Sequence, residues 1–327
     1  MNRREFIKGT VGAGGMLALP SGRLASETTD VSSGTKAKMP RGILGRTGEK
    51  VSRLGVGCWI FGTERMSVDD VAATLHRAVE LGVTYIDTAP NYGNAEEKMG
   101  HTVREIRDKI FLVTKTEEAS YEGTWRLLKQ SLKRLQTNRL DLVHIHSIGS
   151  EDIFADLNFA LGDKGALGAL REAKKQGVIR FIGASGHHYP SRFHRVLECD
   201  EIDVLMNAVN FVAQHTYDFE NKVWCRARQQ NLGLAAMKVL GGAGPGGKGF
   251  QLPEECYELA IRYALSIAGV SCAVIGMGGV AELERAAATV AKAQPLSEEE
   301  SFDLYRRGMD LLTGNPSWHT LYGRPVT

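Results

Sequence analysis

The chain has 327 residues, of which 43% are hydrophobic and 24% charged, and it carries a formal net charge of +2. This composition suits one large globular domain or two small ones. Residues 1–25 hold Arg3, Arg4, Lys8 and Arg23 against Glu5, so the rest of the chain is close to neutral and offers no electrostatic footprint for nucleic acid or an anionic lipid surface. The five cysteines, Cys58, Cys199, Cys225, Cys256 and Cys272, are odd in number and lack CxxC spacing. They read as buried thiols, not as a disulfide or metal framework.

The chain opens on Asn2-Arg3-Arg4-Glu5-Phe6-Ile7-Lys8, followed by the apolar, Gly- and Ala-rich run Gly9–Leu19. A charged segment followed by a short apolar one has the form of an export signal, and the paired arginines resemble the twin-arginine type. The apolar run is too short for a membrane span, which needs about 20 residues. The expectation is a signal peptide over residues 1–25, recognised by the twin-arginine export machinery, with a periplasmic mature protein that has no stable membrane span. Residues 26–39 are small and polar and read as a linker before a single domain over 40–327.

The segment Gly42–Arg53 has turn signals at Gly45 and Thr47-Gly48 and predicts a small hairpin. Beyond it, apolar runs alternate with segments of helical period. Strands are predicted at Arg53–Gly57, Thr84–Thr88, Ile110–Lys115, Leu140–His146, Ile179–Gly183, Val204–Met206, Gly233–Met237 and Cys272–Ile275. Helices are predicted over Val68–Leu81, capped by Ser67, and over Glu96–Ile106, Tyr121–Leu135, Gly165–Gln176, Ser191–Leu197, Phe219–Gln229, Glu254–Ser266 and Val280–Lys292. After Pro295, Leu296–Leu312 predicts an extra helix capped by Ser297. Strands separated by helices must run parallel, and their near-continuous apolar content implies cover on both faces. The expected fold is an α/β (β/α)₈ TIM barrel with an N-terminal hairpin and an extra C-terminal helix. A doubly wound open sheet is the alternative, weakened by the lack of GxGxxG after the first strand.

In such a barrel the site forms where the strands end. Four successive strand ends present Asp87 and then Tyr92, Lys115, His146 and Ser185. A phenol is a poor acid near neutrality, with a pKa of about 10, unless a nearby cation stabilises the phenolate. Lys115 can supply that cation, Asp87 can keep the ammonium charged, and His146 can hydrogen-bond the substrate oxygen. The set suits carbonyl reduction, with hydride going to carbon and the Tyr92 proton to oxygen.

The segments YIDTAPNYG, FLVTKT and LDLVHIHS, with the opening RGILGRTGEKVSRLGVGCWIFG, resemble the signature segments of the aldo-keto reductases over roughly residues 41–312. The resemblance implies a barrel that binds NADP(H), or alternatively NAD(H), across the strand ends and reduces a small-molecule carbonyl substrate. It makes Tyr92 the general acid, Lys115 and Asp87 its tuning pair and His146 the orienting group. Cys58 and Trp59 would sit beside the substrate. Cofactor contacts would come from Ser185, Gly186, Met206, Met237, Lys238, Leu240, Gly241, Gly276, Met277 and Arg285.

The chain departs from the family pattern in three places. Gly186 stands where an Asn usually holds the carboxamide, Met206 stands where a Gln is usual, and the basic residue that meets an adenosine 2′-phosphate is not evident at Met277 or Gly278, with Arg285 as a substitute. Two other readings compete. His144, His146 and His187, with His215, could form the zinc site of a barrel hydrolase. The chain could also be an exported barrel that binds cofactor with little turnover.

Overall fold

The computed structural model describes residues 38–242, 250–315 and 318; the proposed signal peptide, most of the linker and part of the Gly-rich loop after Met237 lie outside them. Met39, at the end of the expected linker, is buried against the core.

Twelve strands are described. A hairpin pairs β1 (Arg41–Ile43) with β2 (Lys50–Ser52). The barrel strands are β3 (Leu54–Gly57), β4 (Tyr85–Asp87), β5 (Phe111–Thr116), β6 (Leu140–Ile145), β7 (Ile179–Gly186), β8 (Val204–Ala208) and β9 (Gly233–Met237). A two-residue pair, β10 (Gly241–Gly242) and β11 (Phe250–Gln251), precedes the last barrel strand, β12 (Val270–Gly276). The eight barrel strands pair in parallel and in sequence, and β12 closes onto β3. Closure excludes the doubly wound sheet.

Alternation along the strands separates two cores. On β5, Phe111 and Val113 point into the barrel, whereas Leu112 joins the shell between strands and helices. Tyr85, Phe111 and Phe181 stack across the lower interior with centroid spacings of 5.6 and 6.2 Å. Apolar side chains therefore fill the floor of the barrel, and the same strands carry polar ones at the other end. The hairpin presses on that floor: a Cβ at Gly45, where φ is +49°, would lie 2.2 Å from the Gly233 nitrogen. Only glycine admits so close a backbone approach.

The helices are α1 (Val68–Glu80), α2 (Ala95–Ile106), α3 (Tyr121–Arg134), α4 (Leu157–Ala160), α5 (Ala166–Lys175), α6 (Pro190–Val196), α7 (Phe219–Lys222), α8 (Trp224–Gln229), α9 (Tyr257–Ser266), α10 (Val280–Lys292) and α11 (Glu298–Gly314). Ser67 with Asp70, and Ser297 with Glu300, form reciprocal capping boxes at α1 and α11. The helix expected over Phe219–Gln229 breaks at Val223, whose φ of −122° leaves helical geometry. The helix expected from Glu254 begins as a 3₁₀ turn over Glu254–Cys256. The short α4 has no counterpart in the periodicity, because four residues are too few to show one. Among the described residues no helix is long and apolar enough to cross a membrane.

Candidate active site

The C-terminal ends of β4, β5 and β6 gather a buried ionic group. Lys115 Nζ donates to Asp87 Oδ1 at 2.9 Å, to Asp87 Oδ2 at 2.8 Å and to the Thr88 carbonyl at 2.7 Å. All three donors of the ammonium are thus engaged inside the barrel. Burial opposes the charge on Lys115, but Asp87 and Tyr92 outweigh it and hold its pKa above the ordinary value. The ammonium also lies 4.7 Å from the centre of the Tyr92 ring. Burial raises the Tyr92 phenol pKa, and the Lys115 charge pulls it only part of the way back. The sequence reading expected Lys115 to dominate; desolvation dominates instead, so Tyr92 is a fully protonated phenol near neutrality.

His146 sits edge-on to Tyr92, with ring centres 6.2 Å apart and planes at 76°. Its Nδ1 faces Glu117 Oε1 at 2.9 Å, and burial holds the imidazole pKa below its ordinary value against the pull of Glu117. Glu117 Oε1 also accepts from Asn91 Nδ2 at 2.7 Å. Neither Glu117 nor Asn91 was selected from the sequence. Glu117 lies two residues past Lys115, so strand alternation could have placed it on the same face.

Ser185 Oγ and Thr88 Oγ1 are buried without a hydrogen-bond partner. Ser185 follows Phe181 and Gly183 in the inward register of β7, and a hydroxyl left open there fits a polar ligand. Gly186 has a local reason to replace asparagine: a Cβ there would lie 2.9 Å from Phe193. Asn207 cannot take over that amide's duty, because it faces the helical shell, accepts from Trp224 Nε1 at 2.8 Å and donates to the Gly186 carbonyl at 3.3 Å. Met206 is fully buried inside the barrel, with Met237 above it at the end of β9. Lys238 follows directly with φ of +58°; its carbonyl accepts from Asn210 Nδ2 at 2.9 Å and from the Gly241 amide at 2.9 Å. Leu240 is half-buried and its carbonyl accepts from Leu252 at 3.1 Å. Ser147, Tyr189 and Lys238 all adopt left-handed backbone just past β6, β7 and β9. Such conformations are costly for residues with a Cβ and concentrate at functional sites.

Other expected contacts are placed differently. Cys58 is fully buried and packs in the outer shell, its thiol donating to the Val56 carbonyl, yet it is near enough to Asp87, Lys115 and Tyr92 to feel their charges. Trp59 is 49% exposed. Gly276 is exposed at the end of β12, but the Met277 side chain turns into the shell. Arg285 stacks 3.7 Å from the Tyr257 ring centre and pairs with Glu254. Of the zinc candidates, His144 lies inside the barrel beneath His146, and His187 is close enough to His146 and Lys115 to feel both charges. His215 is held away from them by the Tyr305 carbonyl at 2.8 Å. Among the described residues no three His, Cys, Asp or Glu side chains form a metal-binding group.

The structure is a closed parallel barrel with a buried Lys–Asp pair beside a tyrosine and a histidine at the strand ends. The family model for the aldo/keto reductase family matches residues 53–248, and the chain belongs to that family of oxidoreductases. It is 30% identical to the methylglyoxal reductase YeaE of Escherichia coli, over 74% of this chain and 82% of that protein. A shorter match, 32% identical to the uncharacterized oxidoreductase YqkF of Bacillus subtilis, spans 43% of this chain and 47% of that protein. A structure from Pseudomonas aeruginosa assigned to the aldo-keto reductases superposes with a TM-score of 0.65 at 28% identity, covering 79% of this chain and 97% of that one. An aldo/keto reductase structure from Klebsiella pneumoniae, in complex with NADP and acetate, has the same fold at 22% identity and a TM-score of 0.66, covering 88% of this chain and 96% of that one.

Proposed function

We propose that the protein reduces a small aldehyde or ketone to an alcohol, with Tyr92 giving the proton to oxygen. The carrying observation is the Lys115 ammonium, locked by Asp87 and the Thr88 carbonyl and set 4.7 Å from the Tyr92 ring centre. Near neutrality the phenol holds its proton, so the acid is loaded before the reaction. As the carbonyl oxygen gains charge, Lys115 stabilises the phenolate left behind. Because the Lys115–Asp87 pair is already dry and hydrogen-bonded, it needs no reorganisation during the reaction. His146, edge-on to Tyr92, would orient the same oxygen whenever the ring nitrogen facing it carries a proton.

When bound, NADP(H) supplies the hydride. The open Ser185 hydroxyl suits the carboxamide of a nicotinamide ring, Met206 and Met237 give an apolar floor, and the backbone turn at Lys238–Gly241 suits a pyrophosphate. Arg285, half-exposed on Tyr257, would be the donor for a 2′-phosphate once released from Glu254. The relatives named as reducing methylglyoxal and as holding NADP support this reading. Substituting Tyr92→Phe tests it: turnover of an aldehyde should fall by at least about 10²-fold with nucleotide binding retained. Equal turnover would remove Tyr92 from the chemistry. Mass analysis of nucleotide released on denaturation tests the cofactor.

The twin-arginine signal over residues 1–25 and a periplasmic location belong to the same proposal, supported by the Arg3-Arg4 pair and the short apolar run after it. Lysine at both positions should keep the protein out of the periplasmic fraction; unchanged export would rule out that route.

A further inference from the structure

The Glu117 carboxylate joins three neighbouring strand ends. It sits past the end of β5, its Oε1 lies 2.9 Å from Nδ1 of His146 past the end of β6, and the same oxygen accepts from Asn91 at 2.7 Å, beside Tyr92. The contact has the distance of an ion pair but not the geometry of a hydrogen bond, so His146 Nδ1 has no hydrogen-bond partner among the described residues. We propose that Glu117 is a positioning residue: it fixes the His146 ring by Nδ1, ties the Tyr92 loop to it through Asn91, and leaves Nε2 as the nitrogen that meets the substrate oxygen. This rests on the carbonyl-reductase reading for its consequence but not for its geometry.

The chemistry of imidazole gives the pairing a direction. A neutral ring that donates from Nδ1 has only a lone pair at Nε2, which cannot donate to a carbonyl oxygen. The imidazolium donates from both nitrogens. A carboxylate at Nδ1 therefore selects the tautomer of the neutral ring and favours the doubly protonated form that can hold a carbonyl. The charged and titratable groups facing His146 are Lys115, Asp87, Glu117, Tyr92, His144 and His187. Asp87 is taken up by Lys115, so Glu117 is the carboxylate that pairs with His146. Burial and the Lys115 charge together push His146 toward its neutral form, and Glu117 works against both. Glu117 is also the more accessible partner, with 28% of its side chain exposed against 6% for His146, so it can keep its charge while the ring stays dry. His146 and Lys115 accordingly hold the Glu117 carboxyl below its ordinary pKa despite the burial.

The test is a histidine-labelled NMR titration of the full chain, with His146 assigned by His146→Asn. It needs neither substrate nor cofactor, so its outcome is independent of whether the protein reduces carbonyls. In Glu117→Gln the His146 pKa should drop by about one unit or more. In Glu117→Ala the neutral ring should lose its single Nδ1–H tautomer, whereas Glu117→Gln, whose amide oxygen can still accept, should keep it. On the kinetic side, the limb of the reduction profile assigned to His146 should move to lower pH in Glu117→Gln, with turnover falling more than KM rises; Glu117→Asp should recover part of it. An unchanged His146 pKa and tautomer in both variants would overturn the proposal. So would a fall in thermal stability that accounts for the whole loss of activity.

Discussion

The two ends of the barrel handle charge in opposite ways. At the floor, Asp141 at the start of β6 accepts the Leu112 amide at 2.8 Å and Arg180 at 3.0 Å, and forms an ion pair with Arg107 at 2.8 Å. Asp203, just before β8, likewise meets Lys174 at 2.8 Å, the Ile182 amide at 3.0 Å and Arg46 at 3.6 Å. Each carboxylate serves two cations and a neighbouring strand. At the mouth, Asp87 serves one cation, and Ser185 and Thr88 keep hydroxyls with no partner. The floor carboxylates clamp strands together. Polar atoms without a hydrogen-bond partner among the described residues lie at both ends, Tyr85 Oη, Arg53 Nε and Arg107 Nη2 below and the Ser185 and Thr88 hydroxyls above, and those of the mouth face the strand ends where a ligand would sit.

Removing the cation of the mouth should do the most damage. In Lys115→Met the buried Asp87 carboxylate loses its partner, which costs about 3–5 kcal/mol in chemical denaturation, and turnover should fall by at least about 10²-fold. Adding Asp87→Asn should return most of the stability and none of the turnover. If both return together, the pair is scaffold and the contrast between the two ends fails.

The matching experiment at the floor is Asp141→Ala. It leaves the buried Arg107 without its carboxylate and should cost about 3 kcal/mol. Turnover and KM of the folded fraction should not change. A loss of turnover beyond the unfolded fraction would mean that the floor also sets the site.

How far this contrast could be read from the sequence depends on the reach of the cause. Strand alternation is local, so the order Asp87, Tyr92, Lys115, His146 was legible, as were the Ser67 and Ser297 caps. The saturation of Asp141 was not, because Arg107 and Arg180 come from elements more than 30 residues to either side. Cys58 lies one residue past Gly57, the end of β3, and turns into the shell. Glu117 was legible as a same-face neighbour of Lys115, but its pairing with His146 emerges only once β5 and β6 lie side by side.

Glu220, on α7 in the helical shell, offers a test of the same rule away from both ends. Burial pushes its carboxyl up from 4.5 to about 7, although Tyr263 donates to it, and its second oxygen has no partner. The folded state then keeps a proton that the unfolded chain has released. Stability should fall as pH rises from about 4.5 to about 7 and level off above, by at most about 3 kcal/mol at 1.36 kcal/mol per unit. Glu220→Gln should flatten that slope in denaturation curves taken across the range. A slope that survives the substitution assigns it to other groups.

The smallest effect separates the two ends most cleanly. Ser185→Ala removes a hydroxyl that bonds to nothing in the protein, so the stability of the cofactor-free chain should stay within about 0.5 kcal/mol of the parent or rise slightly. Its loss should be felt only when nicotinamide nucleotide is present, as a weakening of about 1 kcal/mol, or five- to tenfold in Kd by calorimetry or fluorescence titration. A hydrogen-bonded hydroxyl of the floor, such as that of Ser52, which donates to the Leu54 carbonyl and accepts from the Thr84 amide, would show the reverse, with a loss of stability and no change in Kd. If Ser185→Ala destabilises the free protein and leaves nucleotide affinity untouched, then its open hydroxyl is a packing accident and the mouth loses its best mark of a ligand.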